Sequence, residues 1–192
     1  MNIRKFLHFL PAFLFFSVLF LSAGSAETVR AEDLEIGSTA PLFTAANQDG
    51  VSFSLADRKG RGWTVLYFYP KADTPGCTKQ ACAFRDAVKK IQALNAEVYG
   101  VSTDTVESQA QFHKKYQLKF DILADPDGVV VSLYGAKMPM VDYAKRWTFI
   151  IDPELKIRAI EKDVDPASDA ERVAGILAGL QSKTTELAPG GE

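Results

Sequence analysis

The residues of this 192-residue chain with chemistry of their own are its two cysteines, Cys77 and Cys82. A cysteine pair in an oxidising compartment reads first as a structural disulfide. The spacing argues otherwise. Cys77, Ala81, Phe84, Val88 and Ile91 form an apolar stripe with steps of four, three, four and three, which places both cysteines on one amphipathic helix. Five residues along a helix correspond to a rise of about 7.5 Å and a Cα separation of roughly 8–9 Å. A disulfide needs about 4.4–6.8 Å. The two thiols cannot bond while the helix is intact. A bond that must break its own helix is a poor staple and a workable catalytic intermediate.

The residues ahead of Cys77 favour its thiolate, the nucleophilic form of cysteine. An apolar run ends at Tyr69-Pro70, and Thr74-Pro75-Gly76 opens the helix, with Thr74 suited to the N-cap and Pro75 to the first helical position. Cys77 then falls in the first turn, where unpaired backbone N–H groups and the positive end of the helix dipole stabilise an anion. Because Cys77 heads the apolar stripe, its sulfur is expected to face a partly enclosed pocket. Histidine offers little alternative chemistry: the chain has His8 and His113 only, too few for a multi-histidine metal site. His113, between Phe112 and Lys114-Lys115, reads as a residue on the wet face of a helix.

Something must position these groups. Trp63–Tyr69, Val98–Ser102, Phe120–Leu123 and Trp147–Ile151 read as strands, and Ile157–Ile160 as another after the turn Asp152-Pro153-Glu154. Helical patterns lie between them at about 75–94 and 105–116, and a last one runs from about 169 to 181. That last helix opens with Ser168 and Glu171 at capping-box spacing, just after Pro166. Near-continuous apolar strands separated by helices predict an α/β sandwich, a sheet covered on both faces.

The ends differ from this domain. Arg4-Lys5 precedes an apolar run, Phe6 to Leu21, and then the small residues Ser22-Ala23-Gly24-Ser25-Ala26. This is the pattern of a secretory signal peptide over residues 1–26, and the run is short for a membrane span. An uncleaved N-terminal anchor is the rival reading. Cleavage after Ala26 leaves a domain over 27–183 and moves the formal charge from -2 to -4. Residues 184–192 (TTELAPGGE) read as a disordered tail. No Lys/Arg block suggests a nucleic-acid partner, and after cleavage no stable membrane association is expected.

The active-site sequence carries a resemblance. Pro70-Lys71-Ala72-Asp73-Thr74-Pro75-Gly76-Cys77-Thr78 resembles the peroxiredoxin pattern of Pro, three residues, Thr, two residues, Cys. Gln80-Ala81-Cys82-Ala83-Phe84-Arg85-Asp86 is similar to the peroxiredoxin Q branch, also called bacterioferritin comigratory protein, whose resolving cysteine lies five residues on in the same helix. Arg146, ahead of Trp147-Thr148-Phe149-Ile150-Ile151-Asp152, resembles the family's active-site arginine. The similarity runs from about Leu34 to Leu180.

The resemblance implies a thioredoxin-like fold, a central mixed sheet with helices on both faces, and thiol-dependent reduction of hydrogen peroxide or alkyl hydroperoxides. It makes Cys77 the peroxidatic nucleophile and Cys82 the resolving thiol. Thr74 is to hydrogen-bond the sulfur and the peroxide, Arg146 to stabilise negative charge, and Pro70 to shield the pocket. It implies no metal or other cofactor, a thioredoxin-like dithiol protein as reductant, and a monomer or weak homodimer. The chain departs from the pattern at position 80, where Gln stands in place of the usual Glu, and in Gly135–Lys145, which is short. Two other functions compete: an exported thioredoxin-type disulfide oxidoreductase, whose cysteines are normally separated by two residues rather than four, and a non-catalytic redox-sensing or chaperone-like protein.

Overall fold

Seven strands form one mixed sheet in the order β2-β1-β5-β4-β3-β6-β7 in a computed structural model that describes residues 34–187. The strands are β1 (Thr44–Asn47), β2 (Ser52–Ser54), β3 (Trp63–Phe68), β4 (Ala96–Ser102), β5 (Ile122–Ala124), β6 (Thr148–Ile151) and β7 (Ile157–Glu161). Helices α1 (Pro75–Ala93), α2 (Val106–Tyr116), α3 (Val129–Leu133) and α4 (Asp169–Leu187) complete the domain, with a 3₁₀ turn at Leu55–Arg58. Strand β3 pairs parallel with β4 and antiparallel with β6, so it is central.

The apolar run Trp63–Phe68 is buried throughout because each face of β3 meets a different layer. Trp63, Val65 and Tyr67 point to one face and pack with Phe84, Val88 and Ile91 of α1, Phe112 of α2 and Val173 and Leu177 of α4. Leu66 and Phe68 point to the other, where Leu55, Val130, Val131, Tyr134 and Phe149 close the second core. The expected mixed sheet with helices on both faces is the observed architecture.

Three elements lie outside those expected, and two local readings need correction. Strands β1 and β2 are additional; their short, small-residue sequences TAAN and SFS carry little apolar pattern. Val129–Leu133 is β-branched and yet helical, because Asp125 accepts a hydrogen bond from the Val131 amide at 2.8 Å and fixes the helix start. The capping box at Ser168 and Glu171 does not form. The Ser168 hydroxyl donates to Asp165 Oδ2 at 3.0 Å, and Glu171 pairs with Lys90 across the α1–α4 contact. Finally, α4 continues to Leu187, so residues 184–187 of the segment read as tail are helical, and 188–192 lie outside the described residues. The segment read as a signal peptide also lies outside them. Among the described residues no helix is long and apolar enough to cross a membrane.

Candidate active site

Cys77 lies at the third position of α1, after N-cap Thr74 and with Pro75 in the first turn, as the local sequence dictates. Its side chain is 1% exposed, at the head of the stripe through Ala81, Phe84, Val88 and Ile91, all buried. Cys82 lies further along the same unbroken helix, half-buried, and both thiols are free. The static-disulfide reading therefore fails for this state, and the geometric reason is the intact helix between them.

The loop that delivers Cys77 is fixed from outside. The Tyr69 amide donates to the Val101 carbonyl at 3.0 Å and the Ala72 amide to Asp104 Oδ2 at 2.8 Å. Asp73 adopts a left-handed conformation, φ 58°. Its carboxylate accepts from Lys115 Nζ at 2.7 and 2.8 Å and from the Tyr116 hydroxyl at 2.7 Å, which holds that uncommon backbone in place. The same bonds hold its carboxyl below the usual aspartate range. Pro70, half-buried, stands where β3 gives way to this loop.

Thr74 differs from expectation. Its hydroxyl donates to the Lys71 carbonyl at 2.9 Å, closing the turn, and makes no capping bond to α1. A hydroxyl has one proton, so in this state it is committed to Lys71 and does not donate to the sulfur.

Arg146 reaches Cys77 from the chain that leads into β6, the antiparallel neighbour of β3. A short hairpin, with Lys137 bridged to Ala144, leads into it, and β6 begins two residues later. One guanidinium nitrogen, Nη2, lies 3.4 Å from Cys77 Sγ, while Nη1 donates to Gln80 Oε1 at 2.6 Å. Gly76 permits this approach: a Cβ there would stand 3.3 Å from Nη2. Cys77 and Arg146 are thus brought together, Pro70 and Thr74 lie in the loop that delivers Cys77, and Cys82 is held apart.

Several partners were not legible as site residues. Gln80, fully buried, passes its amide to Asp169 Oδ2 at 2.7 Å, and Thr148 Oγ1 donates to the same oxygen at 3.0 Å. Burial pushes the Asp169 carboxyl up, opposed by these two bonds. In the same core cluster as Cys77, the Tyr67 hydroxyl is buried without a partner, its ring against Gly100, and burial foremost raises its pKa well above the usual value. In the sequence Asp169 is one more acidic residue at a helix start, and nothing in its neighbours points to Arg146. Among the described residues no group of three or more His, Cys, Asp or Glu is arranged to hold a metal ion.

A cysteine at a helix N-terminus, enclosed, with a guanidinium at its sulfur, is a nucleophile equipped to attack a polar bond whose cleavage releases negative charge. Comparison with known proteins agrees. Residues 36–160 match the model of the AhpC/TSA family. A Coxiella burnetii protein described as a peroxiredoxin of the bcp type is 39% identical over 150 residues, 75% of this chain and 99% of that one. The chloroplastic peroxiredoxin Q of Oryza sativa subsp. japonica is 45% identical over 117 residues, 60% of this chain and 54% of that longer one. The crystal structure of peroxidoxin BcpB from Mycobacterium tuberculosis superposes with a TM-score of 0.73 at 32% identity, covering 77% of this chain and 98% of that one. The chain belongs to the AhpC/TSA family, as a peroxiredoxin of the Q or bacterioferritin comigratory type, and is a thiol-dependent peroxidase.

Proposed function

We propose that this protein reduces hydrogen peroxide and alkyl hydroperoxides through Cys77, resolves the product with Cys82, and is recycled outside the cytoplasm by a thioredoxin-like dithiol protein. The observation that carries the reading is the contact of Arg146 Nη2 with the buried Cys77 sulfur at 3.4 Å. The Cys77 thiolate attacks one peroxide oxygen. The S–O bond forms as the O–O bond breaks, and the departing oxygen leaves as hydroxide or alkoxide and takes up a proton. Arg146 stabilises the charge on both anions. The Thr74 hydroxyl turns from Lys71 towards the incoming peroxide, and Pro70 limits water at the sulfur. Cys82 thiol then displaces hydroxide from the Cys77 sulfenic acid, giving a disulfide and water. Two exchanges with a dithiol protein restore both thiols and leave the reductant oxidised. The protein works as a monomer or weak homodimer, which light scattering after gel filtration checks.

Purified protein lacking residues 1–26, given peroxide and a panel of dithiol reductants, tests the assignment. Cys77→Ser abolishes turnover. Cys82→Ser still oxidises once at Cys77, then stalls as sulfenic or sulfinic acid, read by mass spectrometry. The opposite pattern reverses the roles, and no peroxide consumption by the unsubstituted protein refutes the reading. Export is tested by N-terminal sequencing of the protein recovered from the periplasm or medium: a start near Glu27 supports it, and a start at Met1 favours the anchor.

A further inference from the structure

The hydrogen bonds of Arg146 do not end at Gln80. Gln80 is 0% exposed and Asp169, the first residue of α4, is 2% exposed. A guanidinium can only donate and a carboxylate can only accept, so an amide between them has one allowed orientation. Gln80 takes it, with Oε1 to Arg146 and Nε2 to Asp169. The second donor on Asp169 Oδ2 is Thr148, two residues beyond Arg146, so the carboxylate ties α4 to both α1 and the chain that carries the arginine. Asp169 Oδ1 is buried without a partner. A carboxylate kept in so costly a place for structure alone is poorly explained, since an uncharged residue would fill it with less desolvation.

We infer that Asp169 is a positioning residue for Arg146, a carboxylate that acts through the Gln80 amide to hold the guanidinium against the Cys77 sulfur and the peroxide. The inference rests on the peroxidase reading of Cys77 and Arg146. Position 80 then needs no charge of its own, because the negative charge that steadies the arginine stands one residue further out, on α4. The other charged or titratable groups around Asp169 are Glu161 on β7, Arg172 on α4, and Tyr67 on β3, with Cys77 and Arg146 at the site itself.

Two effects of removing this charge have opposite sign, which makes the proposal decidable. By Coulomb's law alone, Asp169→Asn removes an anion near the sulfur, eases thiolate formation and moves the midpoint of Cys77 alkylation to lower pH. By the positioning role, it frees the Gln80 amide to flip and loosens Arg146, which moves the midpoint to higher pH and slows peroxide attack. The second effect dominates. Asp169→Asn is expected to lower the rate of Cys77 oxidation by roughly 10- to 100-fold, the scale of a small misplacement of a reacting group. The variant also separates function from folding. With a folded pKa above the ordinary 3.8, Asp169 binds its proton more readily in the native state, so stability falls as pH rises through the folded value and is lowest once the carboxylate is ionised. Asp169→Asn should therefore melt no lower than the parent at neutral pH, while being slower.

The experiment measures three quantities for the parent, Asp169→Asn and the double variant Gln80→Glu with Asp169→Asn: alkylation rate against pH, the stopped-flow rate of Cys77 oxidation, and melting temperature. The double variant returns a carboxylate directly to Arg146 and is expected to recover the rate to within about threefold of the parent, a non-additivity typical of groups in one hydrogen-bond chain. A parental rate and midpoint in Asp169→Asn, a midpoint shifted to lower pH, or a slow variant with lowered melting that the double variant fails to rescue, overturns the proposal. Alkylation needs no peroxide, so a protein inert to peroxide would sink the peroxidase reading and leave the link from Asp169 to Arg146 measurable.

Discussion

Cys77 divides two stretches of chain that are held in opposite ways. Upstream, Pro70 to Thr74 is fastened by groups from elsewhere: Asp104 on the Ala72 amide, Lys115 and Tyr116 on Asp73. Asp104 is itself braced by the Ser102 and Ser108 hydroxyls. Downstream, Gly76 to Ala83 holds its shape by the bonds of its own helix, and its polar ties beyond the helix run through Cys77 and Gln80 to Arg146 and Asp169. Thr78 and Cys82 are only half-buried and Lys79 is exposed. The upstream half resembles a bracket and the downstream half a latch. A nucleophile that must first stand still and then travel to Cys82 is well placed at the join, with Pro75, which has no amide hydrogen to lose, and Gly76, a poor helix former, as the pivot.

The largest effect is expected at the contact that spans the latch. Arg146→Ala removes the guanidinium from the sulfur and from Gln80 together. The expected loss in peroxide rate is roughly 10²–10³-fold, the scale for removing one preorganised donor from developing charge. The midpoint of Cys77 alkylation moves to higher pH. An unchanged midpoint together with an unchanged rate would remove Arg146 from the mechanism.

Next in size is the motion itself. Closing a Cys77–Cys82 bond must unwind at least one turn of α1, at a cost on the order of 1 kcal/mol for each backbone bond lost. Amide exchange across 76–83 should rise in the disulfide form by about tenfold for each 1.4 kcal/mol of opening free energy lost. Val88 to Leu94, on the stripe packed against β3 and α4, should keep its protection, and so should Ala72, whose amide is held by Asp104. The unwinding also parts Gln80 from Arg146 and Asp169, so reduction must rebuild the arginine's support before the next peroxide is met. Equal protection of 76–83 in both redox states, with the bond confirmed, would falsify the latch.

How much of this was legible in the sequence follows the range of the forces involved. Strand β3 and helix α1 were readable because burial writes long apolar runs and stripes, Trp63–Phe68 and Cys77 to Ile91, into consecutive residues. The motif around Cys77 was readable because Thr74, Pro75 and Cys77 act on a single helix start. Val129–Leu133 carries no helical signal of its own, since β-branched residues favour strands in isolation, while an anchoring bond from Asp125 and burial of Val130 and Val131 set a helix. The support of Arg146 was illegible for a different reason. Gln80 and Asp169 are 89 residues apart and meet only because α1 and α4 pack together on one face of the sheet. Nor does a sequence show that Thr74 gives its proton to Lys71, a matter of the turn's geometry.

The smallest effect, and the one that sharpens the bracket, comes from Asp73. Asparagine tolerates the left-handed backbone at least as well as aspartate does, so Asp73→Asn keeps the turn and removes only the charge that Lys115 grips. The clamp is exposed on both partners, so the loss in global stability is slight. Its pH dependence is nevertheless diagnostic. The folded pKa of Asp73 is depressed by Lys115 and Tyr116, so the clamp's contribution is present above the ordinary value of 3.8 and is lost as pH falls through the lower folded value. The melting temperatures of parent and variant should therefore differ by a constant small amount from about pH 8 down to pH 5, then converge in stronger acid. Salt should narrow the same gap, because exposed charges are screened. Over that neutral range the variant should show faster amide exchange at Asp73 and Thr74, while exchange across 76–83 in the reduced protein is unchanged. If the reduced helix also loosened, bracket and latch would be one cooperative unit, and the pivot at Pro75-Gly76 would have no meaning.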